Sequence, residues 1–142
     1  MLIWTDGACD PNPGIGGWGW HRSDGASQVG GEARTTNNRM ELIAILRAMQ
    51  ALPDGAVAVI HSDSTYCVNG LTVWAKSWAK RNWMQKGHNK AEPLANRDLW
   101  LALEEEKKRV SVKFKWVRGH NGDPGNERAD RLANEGRASI LK

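Results

Sequence analysis

Four acidic residues determine which chemistry this chain could perform, and two of them follow predicted β-strands. Asp6 and Asp63 each come after a short apolar run, so we expect each strand to end on an aspartate. Ligands of open α/β sheets gather beyond the carboxyl ends of the strands, and both side chains could therefore project into one crevice. Read alone, Asp6-Gly7 is also an ordinary turn pair.

The other two acids lie on predicted helices. Glu41 shares the apolar face of its helix with Ile45, where an unpaired carboxylate costs free energy. It could instead complete a capping box or form an ion pair with Arg39. Asp130 lies beside Leu132 near the N-terminal half of the last helix, where the helix dipole by itself favours an acid.

Carboxylates that converge in one crevice would favour metal-ion catalysis, because divalent cations remove their mutual repulsion. Mg²⁺ takes oxygen ligands, retains several waters and is usually completed by substrate phosphate oxygens. Two such ions about 3.5–4 Å apart can activate a water and stabilise the leaving oxygen of a phosphoryl displacement. We therefore expect Mg²⁺ as the cofactor, with Mn²⁺ as a substitute.

The positive charge of the chain is concentrated in one segment. No acidic residue occurs between Asp63 and Glu92, and five cations lie there: Lys76, Lys80, Arg81, Lys86 and Lys90. The chain has 20 lysines and arginines against 16 acids, so without these five the balance is 15 against 16, or −1. A localised basic patch indicates a polyanionic partner. The alternative is a solvated surface face.

Local sequence signals predict a mixed α/β fold. Short apolar runs between turn residues predict strands over 2–5, 18–21, 28–33, 57–62 and 110–117. Helical spacing predicts helices over 37–52, 65–69, 72–80 and 96–108, and a last helix capped by Asp123 with Pro124 in its first turn. This order predicts one domain over residues 1–142, with helices on both faces of a five-stranded mixed sheet whose first three strands form a meander.

Composition excludes several classes of protein. Hydrophobic residues make up 40% and charged residues 25%, as in ordinary globular proteins. No apolar stretch approaches the roughly 20 residues of a membrane span. The N-terminal apolar run is short and is followed by an acid at Asp6, which does not fit a signal peptide. Cys9 and Cys67 do not form a CxxC pattern, and we expect free thiols. We expect a cytoplasmic monomer that does not bind membranes.

Five segments of the chain resemble the conserved motifs of one nuclease family. TDGACDPNPGIGGWG, TTNNRMEL, HSDSTY and WVRGHNGDPGNERADRLA resemble, in order, the four acidic motifs of bacterial-type ribonuclease HI, a type 1 ribonuclease H. LTVWAKSWAKRNW resembles that family's basic protrusion, which would span about 72–92. The likeness runs from residue 2 to about 137. It implies a ribonuclease H-like fold and an endonuclease that hydrolyses the RNA strand of RNA–DNA hybrids, leaving 5′-phosphate and 3′-hydroxyl ends.

The resemblance also implies roles for individual residues. Asp6, Glu41, Asp63 and Asp130 match the metal-binding carboxylates, and His120 matches a mobile histidine that assists proton transfer or product release. Histidine titrates near neutral pH, which suits that role, although a loop histidine alone is an ordinary surface residue. The residues that match nucleic-acid contacts are Cys9 (through nearby backbone groups), Asn12, Asn37 and Asn38 in the minor groove, Thr36 and Asn96 at a DNA-strand phosphate, and Trp74, Trp78, Lys80, Arg81, Trp83 and Lys86 along the DNA strand.

Other interpretations of these residues remain open. Asn12 could serve the Asn-Pro-Gly turn, Asn37 could cap its helix, and Trp74 or Trp78 could be a core residue. Thr65 departs from the family pattern, because many members have a longer amide side chain there. A nuclease of similar fold could act on DNA, although the asparagines that would read 2′-hydroxyl groups have no purpose on DNA. A non-catalytic binding module is the third alternative, but carboxylates that face phosphates weaken binding unless a metal is present.

Overall fold

The structure is a computed structural model that describes residues 1–89 and 91–141, without the side chain of Asn89. Lys90, one of the five cations of the predicted basic segment, lies outside the described residues, as does Lys142. Within the described part of the chain, no helix has both the length and the apolar character that a membrane crossing requires.

One five-stranded mixed sheet forms the centre of the fold, as predicted. Its strands are β1 (Leu2–Cys9), β2 (Gly14–Arg22), β3 (Ser27–Thr35), β4 (Val57–Ser62) and β5 (Ser111–Trp116). The order across the sheet is β3-β2-β1-β4-β5. The first three strands pair antiparallel as a meander, whereas β4 pairs parallel with both β1 and β5. The carboxyl ends of β1, β4 and β5 therefore lie at the same edge of the sheet.

The prediction that β1 ends at Asp6 is wrong, because β1 continues to Cys9. Its parallel pairing with β4 stops at Trp4, but its antiparallel pairing with β2 continues from Asp6 to Cys9. Asp6 consequently lies just beyond the point where β1 loses one neighbour. Asp63 directly follows β4, as predicted.

The described helices are α1 (Asn37–Gln50), α2 (Thr65–Asn69), a π-helix (Gly70–Trp74), α3 (Ala75–Lys80), a 3-10 turn (Gly87–Asn89), α4 (Arg97–Arg109) and α5 (Pro124–Leu141). The predicted helix over 72–80 is wrong in its start, since the helical path is continuous from α2 through the π-helix into α3. Gly70 packs against the Trp100 ring, and the Thr72 hydroxyl donates to the Val68 carbonyl at 2.7 Å. Both contacts lie where the helical hydrogen-bonding pattern changes.

The helices cover both faces of the sheet, as predicted. The neighbouring residues Gly16 and Gly17 of β2 point to opposite faces. A side chain at Gly16 would meet Met40 of α1, whereas one at Gly17 would meet the backbone of α5 near Ala133. The main core lies on the α1 side and includes Ile3, Leu42, Ile45, Ile60, Leu99, Trp100 and Leu103. This packing holds α1 against the strands that carry the predicted site.

Candidate active site

Three of the four predicted acids converge at the edge of the sheet where the parallel strands end. Carboxylate oxygens of Asp6, Glu41 and Asp63 all lie within 4.8 Å of one another. β1 positions Asp6, and the second turn of α1 positions Glu41. Asp63 is held between the end of β4 and Ser64, whose side chain caps α2 by accepting from the Cys67 N–H at 3.1 Å. The fold thus brings together Asp6 and Glu41, which are 35 residues apart in sequence, and Glu41 and Asp63, which are 22 residues apart.

A glycine allows α1 to approach β1 closely enough to complete this cluster. A Cβ atom at Gly7 would overlap the backbone of Met40 and Glu41. The Gly7 N–H donates to Asp6 Oδ1 at 2.9 Å and also to Glu41 Oε1. One backbone amide therefore orients two of the three carboxylates.

Asp130 and His120 line the same cleft, which has a volume of about 310 Å³. Asp130 lies outside the 4.8 Å group, on the second turn of α5. Asp123 caps this helix as predicted, since its Oδ1 accepts from the Gly125 N–H at 2.9 Å. The loop that carries His120 runs against the cluster, because a Cβ at Gly119 would lie 2.7 Å from Asp63 Oδ2.

The electrostatics of the cleft suit a cation. Burial, together with the charges of Asp63 and Asp130, raises the pKa of Asp6 from 3.8 to about 7. Burial and then the charge of Asp6 raise the pKa of Glu41 well above its usual value. Asp6 and Glu41 are only 5% and 4% exposed, so water does little to screen their repulsion. A divalent cation would remove that repulsion, and an all-oxygen donor set is the kind that Mg²⁺ and Mn²⁺ take.

The residues predicted to contact the minor groove lie at the cleft or beside it. Cys9 and Asn37 line it, and Asn38 is exposed on the first turn of α1. Asn12 Oδ1 accepts from the Asn37 N–H at 3.1 Å, so it connects its loop to the start of the helix. The helix cap is Thr36, whose side chain accepts from the backbone amide three residues later, and the alternative that Asn37 is the cap is wrong.

Asn96 is held in a defined orientation at the start of α4. Its backbone is left-handed, with φ of 63°. Its Nδ2 donates to the Tyr66 hydroxyl at 3.2 Å, and its Oδ1 accepts from Arg39 Nη1 at 3.3 Å. Arg39 also forms an ion pair with Asp98 at 3.0 Å. One N–H of the Asn96 amide remains for a further acceptor.

The tryptophans of the basic segment differ in exposure. Trp74 is 39% exposed, and its ring centroid lies 5.6 Å from that of half-buried Trp78. Trp78 packs in turn against Trp83 and Trp100. Trp83 is only 5% exposed, so the prediction that it faces nucleic acid is wrong: its ring belongs to the core.

The cations of the basic segment that the structure describes lie at the surface. Lys80 and Lys86 are exposed. Arg81 is half-buried and donates its Nε–H to the Met84 carbonyl at 3.1 Å. Thr65, the departure from the family pattern, is exposed at the first position of α2.

Sequence reasoning missed one residue beside the carboxylates. Trp116, the last residue of β5, is 47% exposed and donates its indole N–H to the Asp63 carbonyl at 3.1 Å. The available signal was a tryptophan at the end of a lysine-rich strand, directly before the loop of His120.

Comparison with known proteins gives one consistent family. The family model for RNase H matches residues 1–138. Ribonuclease H of Bordetella avium is 46% identical over 99% of this chain and 92% of its own length. Ribonuclease HI of Pseudomonas aeruginosa is 48% identical over 99% and 95%, and Ribonuclease H of Cupriavidus metallidurans is 49% identical over 99% and 97%.

A solved structure agrees with these sequence relatives. The crystal structure of LC9-RNase H1, described as a type 1 RNase H with the type 2 active-site motif, superposes with a TM-score of 0.82 at 29% identity. The superposition covers 97% of this chain and 72% of that chain. With relatives this similar over nearly its whole length, the chain belongs to the ribonuclease H family, metal-dependent endonucleases that cleave RNA in RNA–DNA hybrids.

Proposed function

We propose that Asp6, Glu41, Asp63 and Asp130 hold the divalent ions of this ribonuclease H, and that Mg²⁺ is the ion used, with Mn²⁺ able to replace it. The observation that carries this proposal is the convergence of three carboxylates within 4.8 Å. Asp130 lines the same cleft and contributes to the raised pKa of Asp6. All four acids therefore line one cleft, where they could bind the same ions.

The protein holds the proposed metal ligands in a fixed arrangement, and no lysine or arginine among the described residues forms an ion pair with Asp6 or Glu41. When bound, the ions supply positive charge at the scissile phosphate and activate the attacking water. The Gly7 N–H orients Asp6 and Glu41, and burial leaves both carboxylates without an ion-pair partner among the described residues. The proposed hydrolysis leaves a 5′-phosphate and a 3′-hydroxyl, as the resemblance to the family implies.

We propose that His120 moves a proton at the leaving oxygen or assists product release. Its side chain is exposed at the mouth of the cleft, and its backbone has a φ of 54°. Gly119 and Gly122 flank it, and Gly122 also adopts a positive φ, of 78°. An imidazole can both accept and donate a proton through its ring nitrogens, which suits either role.

Discrimination between the two strands would use different sides of the cleft. Asn12, Asn37, Asn38 and the backbone near Cys9 would read the RNA strand, because amide and peptide groups can both donate to and accept from a 2′-hydroxyl. The residues proposed for the DNA strand are Thr36 and Asn96 at a phosphate, and Trp74, Lys80, Arg81 and Lys86 along the backbone. Trp78 would support the Trp74 ring from the core side.

We further propose that residues 1–142 form one catalytic domain, with a basic protrusion over about 72–92, which works as a monomer in the cytoplasm. One chain supplies all four carboxylates, so no second copy is needed to complete the site. Cys9 and Cys67 are both free, which suits a reducing compartment.

A strand-labelled hybrid assay tests the site. The wild-type enzyme should cut only the RNA strand, in Mg²⁺ and not in EDTA, and should spare a DNA duplex of the same sequence. Asp63→Asn should reduce cleavage by at least about 1,000-fold, because it removes a metal ligand, while binding to the hybrid remains measurable. Glu135→Gln, which changes an exposed acid of α5, is the matched control.

Two outcomes would contradict the proposal. Equal cleavage of DNA duplex would indicate a DNA nuclease. If Asp63→Asn lost binding but retained wild-type turnover per bound complex, Asp63 would not be a metal ligand.

A further inference from the structure

Trp116 is fixed beside the proposed metal site. It is the last residue of β5 and lies opposite Ser62, the last residue of β4. Its indole N–H donates to the Asp63 carbonyl at 3.1 Å, and the next backbone amide, Val117 N–H, donates to the Ser62 carbonyl at 2.9 Å. The ring is thus anchored at one edge to the peptide that carries a proposed metal ligand.

Nearly half of the Trp116 surface is exposed to solvent. The structure describes all eight tryptophans, and among them only Trp74 and Trp116 are exposed rather than buried or half-buried, at 39% and 47%. Trp74 belongs to the predicted basic protrusion, whereas Trp116 lies at the carboxylates. A single exposed apolar residue is common on protein surfaces. Here, however, the one polar atom of the ring is already satisfied, so the exposed part is an apolar face held rigidly next to the cleft.

The charge around Trp116 favours an anionic partner. From Lys107 to Gly122 the chain has no acid and six cations: Lys107, Lys108, Arg109, Lys113, Lys115 and Arg118. The first three pair with Glu104, Glu105 and Glu106 of α4. In the part of the chain that the structure describes, the other three form no salt bridge, and Lys115 and Arg118 lie within two residues of Trp116. Side chains alternate along a strand, so Lys113 and Lys115 point to the face of β5 opposite to Trp116, and Arg118 follows in the loop. The ring therefore lies in a segment of net positive charge, which suits a sugar–phosphate backbone.

We propose that Trp116 is a contact residue for the RNA strand, and that its ring packs against the ribose of a nucleotide next to the scissile phosphate. This inference rests on the proposed function, since it takes the carboxylates as the position of that phosphate. Asp63 is both a proposed ligand and the anchor of the ring, so the strand nearest Trp116 is the strand that is cut. The loop that carries His120 begins just after β5 and also lies against Asp63.

Two substitutions of Trp116 distinguish the contribution of its apolar ring from that of its hydrogen bond to Asp63. Trp116→Ala removes the apolar platform and should raise KM for the hybrid by about 3- to 30-fold, with kcat within about 2-fold of wild type. Trp116→Phe retains an aromatic ring without the N–H, and its KM should stay within about 3-fold of wild type. Val57→Ala removes an apolar side chain that is 70% exposed on neighbouring β4 and should leave both constants unchanged.

Binding measured in EDTA tests the contact without catalysis. The affinity of Trp116→Ala for a fluorescein-labelled hybrid should fall by the same factor as its KM rises. Urea unfolding shows whether the variant is folded, and Trp116→Thr, a residue suited to a strand end, serves as a second ring deletion.

Three results would overturn the inference. Unchanged KM and affinity in both ring deletions would show that the ring touches no substrate. A fall in kcat with KM unchanged would show that Trp116 only positions Asp63. Equal losses in Trp116→Ala and Trp116→Phe would assign the effect to the hydrogen bond. A wild-type enzyme that fails to cut the hybrid would instead refute the proposed function, and the same experiment distinguishes the two failures.

Discussion

The metal-free enzyme should lose stability as the pH rises from about 5 to about 8, mostly below pH 7, and Asp6→Asn should remove much of this loss. Asp6 is 5% exposed, and burial together with neighbouring carboxylates raises its pKa from 3.8 to about 7. Asparagine has nearly the same shape and no charge. Its side-chain oxygen can still accept from the Gly7 N–H, which now donates at 2.9 Å.

The sign and the size follow from proton linkage. A carboxyl group whose pKa is higher in the folded state binds more protons when folded, so the free energy of unfolding falls as the pH rises between the two pKa values. With a folded pKa of about 7 and an unfolded pKa of 3.8, the loss between about pH 5 and about pH 8 is about 2–3 kcal/mol. The raised pKa of Glu41 acts in the same direction.

Urea unfolding in EDTA at the two pH values tests this reasoning. The wild type should lose about 2–3 kcal/mol more than Asp6→Asn between them, and the variant should be the more stable protein at the higher pH. Glu135→Gln, which changes an exposed carboxylate, should behave like the wild type. Mg²⁺ should reduce the wild-type loss, because an ion that binds only the folded, ionised site stabilises it. Parallel losses in wild type and Asp6→Asn would refute the argument that burial and repulsion destabilise the ionised cluster.

Three further predictions concern the support of the site and the basic segment. Gly7→Ala should destabilise the protein by about 3 kcal/mol or more, because its methyl group would overlap the backbone of α1, and urea unfolding measures the loss. Tyr66→Phe should raise KM by a few fold with little change in kcat, since the Asn96 amide loses the hydroxyl that orients it; an unchanged KM would separate Asn96 from substrate binding. Replacing Lys80, Arg81 and Lys86 by glutamine should weaken hybrid binding and flatten the slope of log K against log salt by about 2–3. Glutamine at Lys108, an exposed cation of α4, is the control, and an unchanged slope in the triple variant would refute a phosphate contact.

Several features of this protein were readable from short stretches of sequence. The strand over Val57–Ser62 and the cap of α5 at Asp123 were predicted correctly. Each depends on hydrogen bonds or apolar spacing within a few residues, which is why local sequence is sufficient. The four acidic motifs, in their order along the chain, were likewise enough to identify the ribonuclease H family.

Other features were decided only by the tertiary structure. Asp6 lies inside β1 rather than at its end, because β2 extends beyond β4 as a pairing partner. Trp83 is buried, although the sequence places it among cations, and Trp116 is exposed. Local sequence could not separate these two rings, since burial depends on which distant segments pack against a side chain. Trp83 packs against Trp78 of α3 and belongs to the core, whereas the edge strand β5 leaves much of the Trp116 ring in solvent beside Asp63.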